Sequence, residues 1–166
     1  MTILTELDLD FNFDGAIEAI KFDDNATHSR TTLKRVDFIA EYDDCYRFIE
    51  VKDPDDPNAV NPQRFVEKLR SGQLIPSLAG KYRDSLFFRS MQNKTDKKIE
   101  YFVLLAMQSL EPALLISQQE NLRRAIPVEH SSWEDPSAAV CVILNMAQWK
   151  RHFGEHSVTR ISESET

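Results

Sequence analysis

Two carboxylates and one lysine stand close together in residues 34–53, KRVDFIAEYDDCYRFIEVKD. Asp37 lies in the first apolar run, and Glu50 and Lys52 lie in the second run, on either side of Val51. Carboxylate oxygens are ligands for hard cations such as Mg²⁺, which one or two carboxylates and water often hold. A lysine beside such a cation could balance charge or help to deprotonate a water. These residue types therefore point to metal-assisted hydrolysis of a phosphodiester.

A β-hairpin would bring these groups together. Residues 33–42 and 45–51 are rich in Val, Phe, Ile and Tyr, and Asp43-Asp44 fits the turn between two strands. With a two-residue turn, Asp37 lies opposite Glu50, and their Cβ atoms are roughly 5 Å apart. Opposed like charges destabilise a sheet, so a divalent cation is the expected compensation. Lys52 lies on the same face as Glu50, roughly 7 Å further along the strand.

The same residues also fit an ordinary solvated face of a hairpin. Lys52 could pair with Glu50 or with Asp37 across the strands, as oppositely charged residues do on many sheets. Both interpretations of the hairpin remain open at the level of the sequence.

Asp37 followed, after a tight hairpin, by Glu50-Val51-Lys52 resembles the motif of the PD-(D/E)XK nuclease superfamily, which includes restriction endonucleases and Holliday-junction resolvases. Val36 stands where the name of the superfamily has proline. The resemblance implies that Asp37 and Glu50 hold Mg²⁺, with Mn²⁺ as a substitute, and that the Val51 carbonyl is a third ligand. It further implies that Lys52 is the catalytic lysine.

The resemblance also implies an acidic residue on a first helix that completes the metal site. Residues 16–22, AIEAIKF, fit a short helix with Ile17 and Ile20 three apart, although a strand is the alternative interpretation. Glu18 is the best match for this acid by order and type, and Asp23 is the second candidate.

The order of the remaining elements predicts an α/β fold. Helices are expected at 62–72, 77–91, 112–124 and 146–153, and continuous apolar strands at 99–107 and 138–144. Such strands, separated by helices, indicate parallel pairing in a sheet that is covered on both faces. We therefore predict one domain over residues 1–166, a three-layer sandwich with a mixed central β-sheet. Its core is expected at about 14–153, followed by a polar tail at about 155–166. The resemblance implies a restriction-endonuclease-like core within it.

Composition narrows the classes of protein to which the chain could belong. Its 42% hydrophobic and 28% charged residues are ordinary for a globular protein. Cys45 and Cys141 show no paired spacing, which favours a reducing compartment. No apolar stretch is long enough to span a bilayer, and the segment that carries Glu6, Asp8 and Asp10 does not fit a signal peptide. We therefore expect a cytoplasmic protein without a membrane partner.

Charge distribution suggests a partner. The chain has a net charge of −7, but residues 64–98 carry nine basic and three acidic side chains, a net charge of +6. A basic segment that includes Lys68, Arg70, Lys81, Arg83 and Arg89 suits a phosphate-binding surface beside the acidic site. The leading hypothesis is a nuclease acting on nucleic acid, DNA rather than RNA, and the resemblance suggests a homodimer. The rival hypothesis, favoured by the net acidity, is a non-catalytic binding or assembly protein on the same fold.

Overall fold

A computed structural model describes residues 1–108 and 110–164 of the chain. The strands are β1 (Ile3–Glu6), β2 (Leu9–Asn12), β3 (Glu18–Lys21), β4 (Phe38–Glu41), β5 (Cys45–Lys52), β6 (Lys98–Leu105), β7 (Val140–Asn145) and β8 (Val158–Arg160). The helices are α1 (Asn25–His28), α2 (Pro62–Ser71), α3 (Ile75–Met91), α4 (Pro112–Ala125), α5 (Met146–Phe153) and α6 (Ile161–Ser164).

Five strands form the central sheet, in the order β3-β4-β5-β6-β7. The first three are antiparallel neighbours, whereas β5, β6 and β7 run parallel. The predicted mixed sheet is therefore confirmed, and both continuous apolar runs are parallel strands as expected. Parallel strands carry apolar residues on both faces because both faces are covered, and Tyr101, Phe102, Val103 and Leu104 are all buried.

The two faces of the central sheet are covered differently. On one face Phe48, Tyr101 and Val103 pack against α2, α3 and α4. On the other face Phe102 and Leu104 pack against α5 and a small antiparallel sheet with the strand order β1-β2-β8. The result is an α/β arrangement in three layers, in which one outer layer is mainly a second sheet. The core extends from Leu9 to Val158, beyond the expected range of 14–153. Of the expected polar tail, residues 165 and 166 lie outside the described residues.

The predicted helix at residues 16–22 is wrong, and the alternative interpretation as a strand is correct. Residues Glu18–Lys21 form β3, which pairs with β4 along the edge of the central sheet. Ile20 and Phe22, two residues apart, both pack into the helix-covered core, which is the period of a strand. The spacing of three between Ile17 and Ile20 was misleading because Ile17 is exposed.

The predicted hairpin register is confirmed. The Tyr42 amide donates to the Cys45 carbonyl at 2.8 Å, which closes the Asp43-Asp44 turn. Phe38 pairs with Ile49 and Glu41 pairs with Tyr46, as a two-residue turn requires. Asp37 directly precedes the first paired residue of β4, and Glu50 directly follows Ile49. The two carboxylates therefore reach the same edge of the sheet.

Helix α2 begins and ends as predicted. The Asn61 side chain accepts a hydrogen bond from the Arg64 amide at 3.1 Å, and Gly72 ends the helix with a positive φ of 79°. None of the helices within residues 1–108 and 110–164 combines the length and the apolar content that crossing a bilayer requires.

Burial in the central sheet predicts a matched pair of stability effects. Phe102 is 1% exposed and packs against Trp149 and Phe153, whereas Phe87 on α3 is 55% exposed. We expect Phe102→Ala to lower the free energy of unfolding by about 3–5 kcal/mol, because it leaves a cavity in the core. Phe87→Ala should change it by about 0.5 kcal/mol or less. Urea denaturation followed by circular dichroism measures both, and equal effects would contradict the layer assignment.

Candidate metal centre

The site lies at the end of the central sheet where β4 begins and β5 ends. A cavity of about 440 Å³ opens there. Five segments distant in sequence supply its charged lining residues, which are Glu6, Asp23, Asp37, Lys52, Asp53 and Lys81. The first turn of α2 also borders the cavity through Asn61, Pro62 and Phe65. Of the hairpin residues singled out by the sequence, Asp37, Val51 and Lys52 line this cavity, whereas Glu50 is fully buried behind it.

Asp37 is held in place by the adjacent strand. Its side chain is only 4% exposed, and its Oδ2 accepts a hydrogen bond from the Val51 amide at 2.7 Å. Burial, and then the nearby charge of Glu50, raise the pKa of Asp37 to about 8. A carboxyl group with such a pKa takes up a proton at neutral pH unless a positive charge offsets the burial.

Glu50 is fully buried and shared by two lysines. Its Oε1 lies 2.6 Å from Lys81 Nζ and 2.9 Å from Lys52 Nζ. Its Oε2 is also buried and has no hydrogen-bond partner among the described residues. Because a buried carboxylate oxygen without a partner is costly, this oxygen is a candidate to bind a cation.

Sequence reasoning placed Lys81 on the basic surface, but the structure places it beside Glu50. A signal for this position was present in α3. Leu78 and Ser85 are buried, and Lys81 is three residues after the first and four before the second. Side chains at these spacings share one face of a helix, so Lys81 faces the sheet.

Glu6 and Asp23 complete the acidic cluster. Carboxylate oxygens of Glu6, Asp23 and Asp37 all lie within 4.8 Å of one another. Glu6 is paired with Lys21 at 2.8 Å. Asp23 follows β3, and its buried Oδ1 has no hydrogen-bond partner in the part of the chain that the structure describes. Burial, and then the charge of Glu6, raise the pKa of Asp23.

Glu18 does not join this cluster. It is exposed at the other end of β3, where it pairs with Glu41. Glu18 lies three positions before Lys21, which amounts to roughly 10 Å along a strand and puts it away from the acidic cluster. The structure thus brings the second sequence candidate, Asp23, to Asp37, and it adds Glu6, which the sequence analysis did not name as a ligand.

The cluster fits a divalent cation by the chemistry of its donors. Four carboxylates (Glu6, Asp23, Asp37 and Glu50) face three ammonium groups (Lys21, Lys52 and Lys81), so a net charge of −1 remains when all are ionised. All candidate ligands are oxygens, the preference of Mg²⁺ and Mn²⁺. The carbonyl of Val51, a further ligand expected from the sequence, belongs to a residue that lines the same cavity.

The predicted basic surface is smaller than expected. Arg89 is only 5% exposed and lies over the Tyr46 ring at 5.5 Å, and Lys81 is part of the acidic cluster. Arg83 donates to the Ala125 carbonyl at 3.2 Å. On α2, Arg64 is exposed and Lys68 is half-buried. Lys52 and Lys81 line the cavity itself, and Arg64 lies between Pro62 and Phe65, which also line it.

Comparisons of the chain with protein-family models, with curated proteins and with solved structures found no match. Its function is therefore inferred from the geometry of the cluster and from the hairpin motif.

The raised pKa of Asp37 predicts how stability depends on pH. The pKa is 3.8 for an ordinary Asp and about 8 in the fold, so the folded chain holds an extra proton between these values. The resulting stabilisation is fully present below pH 4 and is lost as the pH rises through 8, by at most about 1.4 kcal/mol per pH unit. Asp37→Asn keeps an acceptor for the Val51 amide and removes this loss.

We therefore expect metal-free Asp37→Asn to gain stability over the wild type as the pH rises, reaching about 1 kcal/mol or more at pH 8. Urea denaturation between pH 5 and pH 9 in the presence of a chelator measures this difference. Asp44→Asn, in the exposed hairpin turn, is the matched control and should show no such trend. Parallel curves for Asp37→Asn and the wild type would contradict the burial of an ionisable Asp37.

Proposed function

We propose that this protein is a metal-dependent nuclease that hydrolyses phosphodiester bonds of nucleic acid. One observation carries the proposal: three carboxylates from separate segments, those of Glu6, Asp23 and Asp37, lie together in a cavity that also contains Lys52. Structural ion pairs rarely need so many like charges at one point, whereas a divalent cation does.

The ligands would come from the acidic cluster. Asp37, Asp23 and Glu6 would hold Mg²⁺ or Mn²⁺, together with Glu50 and the Val51 carbonyl. The ion would polarise the scissile phosphate and lower the pKa of a bound water. The Val51 amide, which donates to Asp37 Oδ2, fixes the orientation of this carboxylate. Lys81 Nζ, 2.6 Å from Glu50 Oε1, likewise fixes the orientation of the Glu50 carboxylate on β5.

Lys52 would act on the water or the phosphate. Its ammonium group lies 2.9 Å from Glu50 Oε1, and its side chain keeps 27% of its surface exposed within the cavity. An ammonium group placed there can hold a water by hydrogen bonding and place positive charge next to a phosphate oxygen. Arg64 and Lys68 on α2 would contact phosphates further along the bound nucleic acid.

The order of elements supports a restriction-endonuclease-like core. β3, β4 and β5, followed by α2, α3 and then β6, match the β-β-β-α-β part of that core. The first helix of the superfamily is not found before β3 in the described residues. Asp23 and Glu6, whose carboxylates lie within 4.8 Å of that of Asp37, would supply the acidic ligand that this helix carries in the superfamily.

A second candidate function is binding or assembly without catalysis. The observation that favours it is that Glu50 Oε1 already contacts two ammonium groups, as it would in a purely structural ion pair. In that case the cavity would be a surface for a partner, and metal binding would be absent. Metal binding therefore separates the two candidates.

Calorimetric titration of Mn²⁺ and Mg²⁺ into the chelated protein is the first test. The wild type should bind a cation, and Asp37→Ala should bind it at least tenfold more weakly, because it removes the central ligand. Glu18→Ala is the matched control, an exposed glutamate of the same sheet outside the cluster, and should bind as the wild type does. Absence of binding by the wild type would refute the proposed function.

Cleavage assays on single-stranded DNA, duplex DNA and RNA form the second test. Lys52→Ala should retain cation binding and lose cleavage by a factor of about 10²–10⁴, since it removes a group that acts on the proton or the phosphate. Loss of cation binding in Lys52→Ala would instead indicate that this lysine maintains the cluster. Metal binding without cleavage of any of these substrates would support the second candidate function.

A further inference from the structure

The acids of the cluster are carried by two different sheets. Glu6 ends β1 in the small antiparallel sheet, whereas Glu50 and Lys52 end β5 in the central sheet. The distance between Glu6 and the residues of β5 therefore depends on what joins the two sheets at this edge.

Two side chains join them: Lys21 of β3 pairs with Glu6 at 2.8 Å, and Arg160, the last residue of β8, contacts both sheets. Its Nη1 and Nη2 lie 2.8 and 2.9 Å from the two carboxylate oxygens of Asp53, which directly follows Lys52. Nη1 also lies 3.2 Å from Asp8 Oδ2, in the turn that follows Glu6. Nη2 further donates to the Ala106 carbonyl at 3.3 Å, just beyond the end of β6.

These contacts are well shielded from solvent. The side chain of Arg160 is 9% exposed, that of Asp53 is 0% exposed and that of Asp8 is 13% exposed. A bidentate pair between a guanidinium group and a carboxylate fixes orientation as well as distance, which an ammonium group does not.

The turn held by Arg160 is conformationally strained. Leu7, between Glu6 and Asp8, has a positive φ of 54°, which leucine rarely adopts. Such a conformation persists where the surroundings determine it. Here Asp8 also accepts hydrogen bonds from the Ser162 amide at 3.2 Å and the Ser162 hydroxyl at 2.6 Å. Leu7 lines the same cavity as the acids.

We propose that Arg160 is a positioning residue of the metal centre, which sets the place of Glu6 relative to Asp37 and Lys52 through Asp8 and Asp53. This inference rests on the proposed function. Arg160 does not itself contact the proposed ligands. It fixes the turn next to Glu6 and the residue next to Lys52, and so it places Glu6 close to the ligands of the central sheet.

Mn²⁺ titration of Arg160 variants tests the inference. Arg160→Gln should weaken Mn²⁺ binding at least tenfold, and Arg160→Lys should fall between it and the wild type, because lysine keeps the charge and loses the bidentate geometry. Asp8→Asn, a milder change that loosens only the turn, should weaken binding at least threefold. The matched control is Arg47→Gln, which breaks another partly buried pair, with Glu100 at 3.0 Å, elsewhere on the sheet.

A purely structural role for Arg160 predicts a different result. Arg160→Gln and Arg47→Gln would then both lower the melting temperature, and both would bind Mn²⁺ as tightly as the wild type. That outcome, or wild-type binding by Asp8→Asn, would overturn the inference.

A measurement without metal separates this inference from the proposed function. Spin labels at Leu7→Cys, in the turn after β1, and at Glu67→Cys, on the exposed side of α2, allow pulsed electron paramagnetic resonance to measure the distance between this turn and the helical layer on the central sheet. The distance distribution should be narrow with Arg160 and broaden by several ångströms in Arg160→Gln. If the wild type binds no Mn²⁺, the proposed function fails, and an unchanged distribution in Arg160→Gln overturns the positioning role independently.

Discussion

Burial of the Glu50 carboxylate is the constraint on which this site depends. A fully buried charge must be paired, and removal of its partner typically costs several kcal/mol. Lys81 Nζ, 2.6 Å away, satisfies this requirement only if α3 packs against the sheet with its Leu78–Ser85 face inward. The pair joins α3 to the end of β5, beside the apolar contacts of Leu78 and Tyr82 that pack α3 against the sheet.

The cluster is unfavourable as a purely structural element. Burial raises the pKa of Asp37 to about 8 and raises that of Asp23, so the fold disfavours the charged form of both groups. Buried ion pairs can often be replaced by apolar residues without loss of stability. Proteins retain such local conflicts mainly at functional sites, where the charge is used. The burial of Asp37, which raises its pKa, and the neighbouring carboxylates thus favour the same functional role for this residue.

Local features of the sequence were sufficient to predict the hairpin. A two-residue turn and the period of two determine which residues face each other, and so the register around Asp37 and Glu50 was predictable. Strands β6 and β7 and the helices between them follow equally from long apolar runs and helical spacing. Glu6 and Arg160 were not predictable in this way. Arg160 contacts Asp8 across a sequence separation of 152 residues, and no periodicity encodes a contact of that kind. The segment at residues 16–22 was misassigned because four paired residues are too short to distinguish helix from strand.

The unpaired oxygens favour the proposed metal centre over a salt-bridge network. In a network that only stabilises the fold, each buried carboxylate oxygen would accept a hydrogen bond, because an unsatisfied one is costly. Glu50 Oε2 and Asp23 Oδ1 are buried without such a bond in residues 1–108 and 110–164, although Lys52 and Lys81 are both close to Glu50. Lys52 and Lys81 both contact Oε1 of Glu50 and leave its Oε2 unpaired. A divalent cation contacts several oxygens at once, which matches carboxylates from three segments of the chain converging within 4.8 Å.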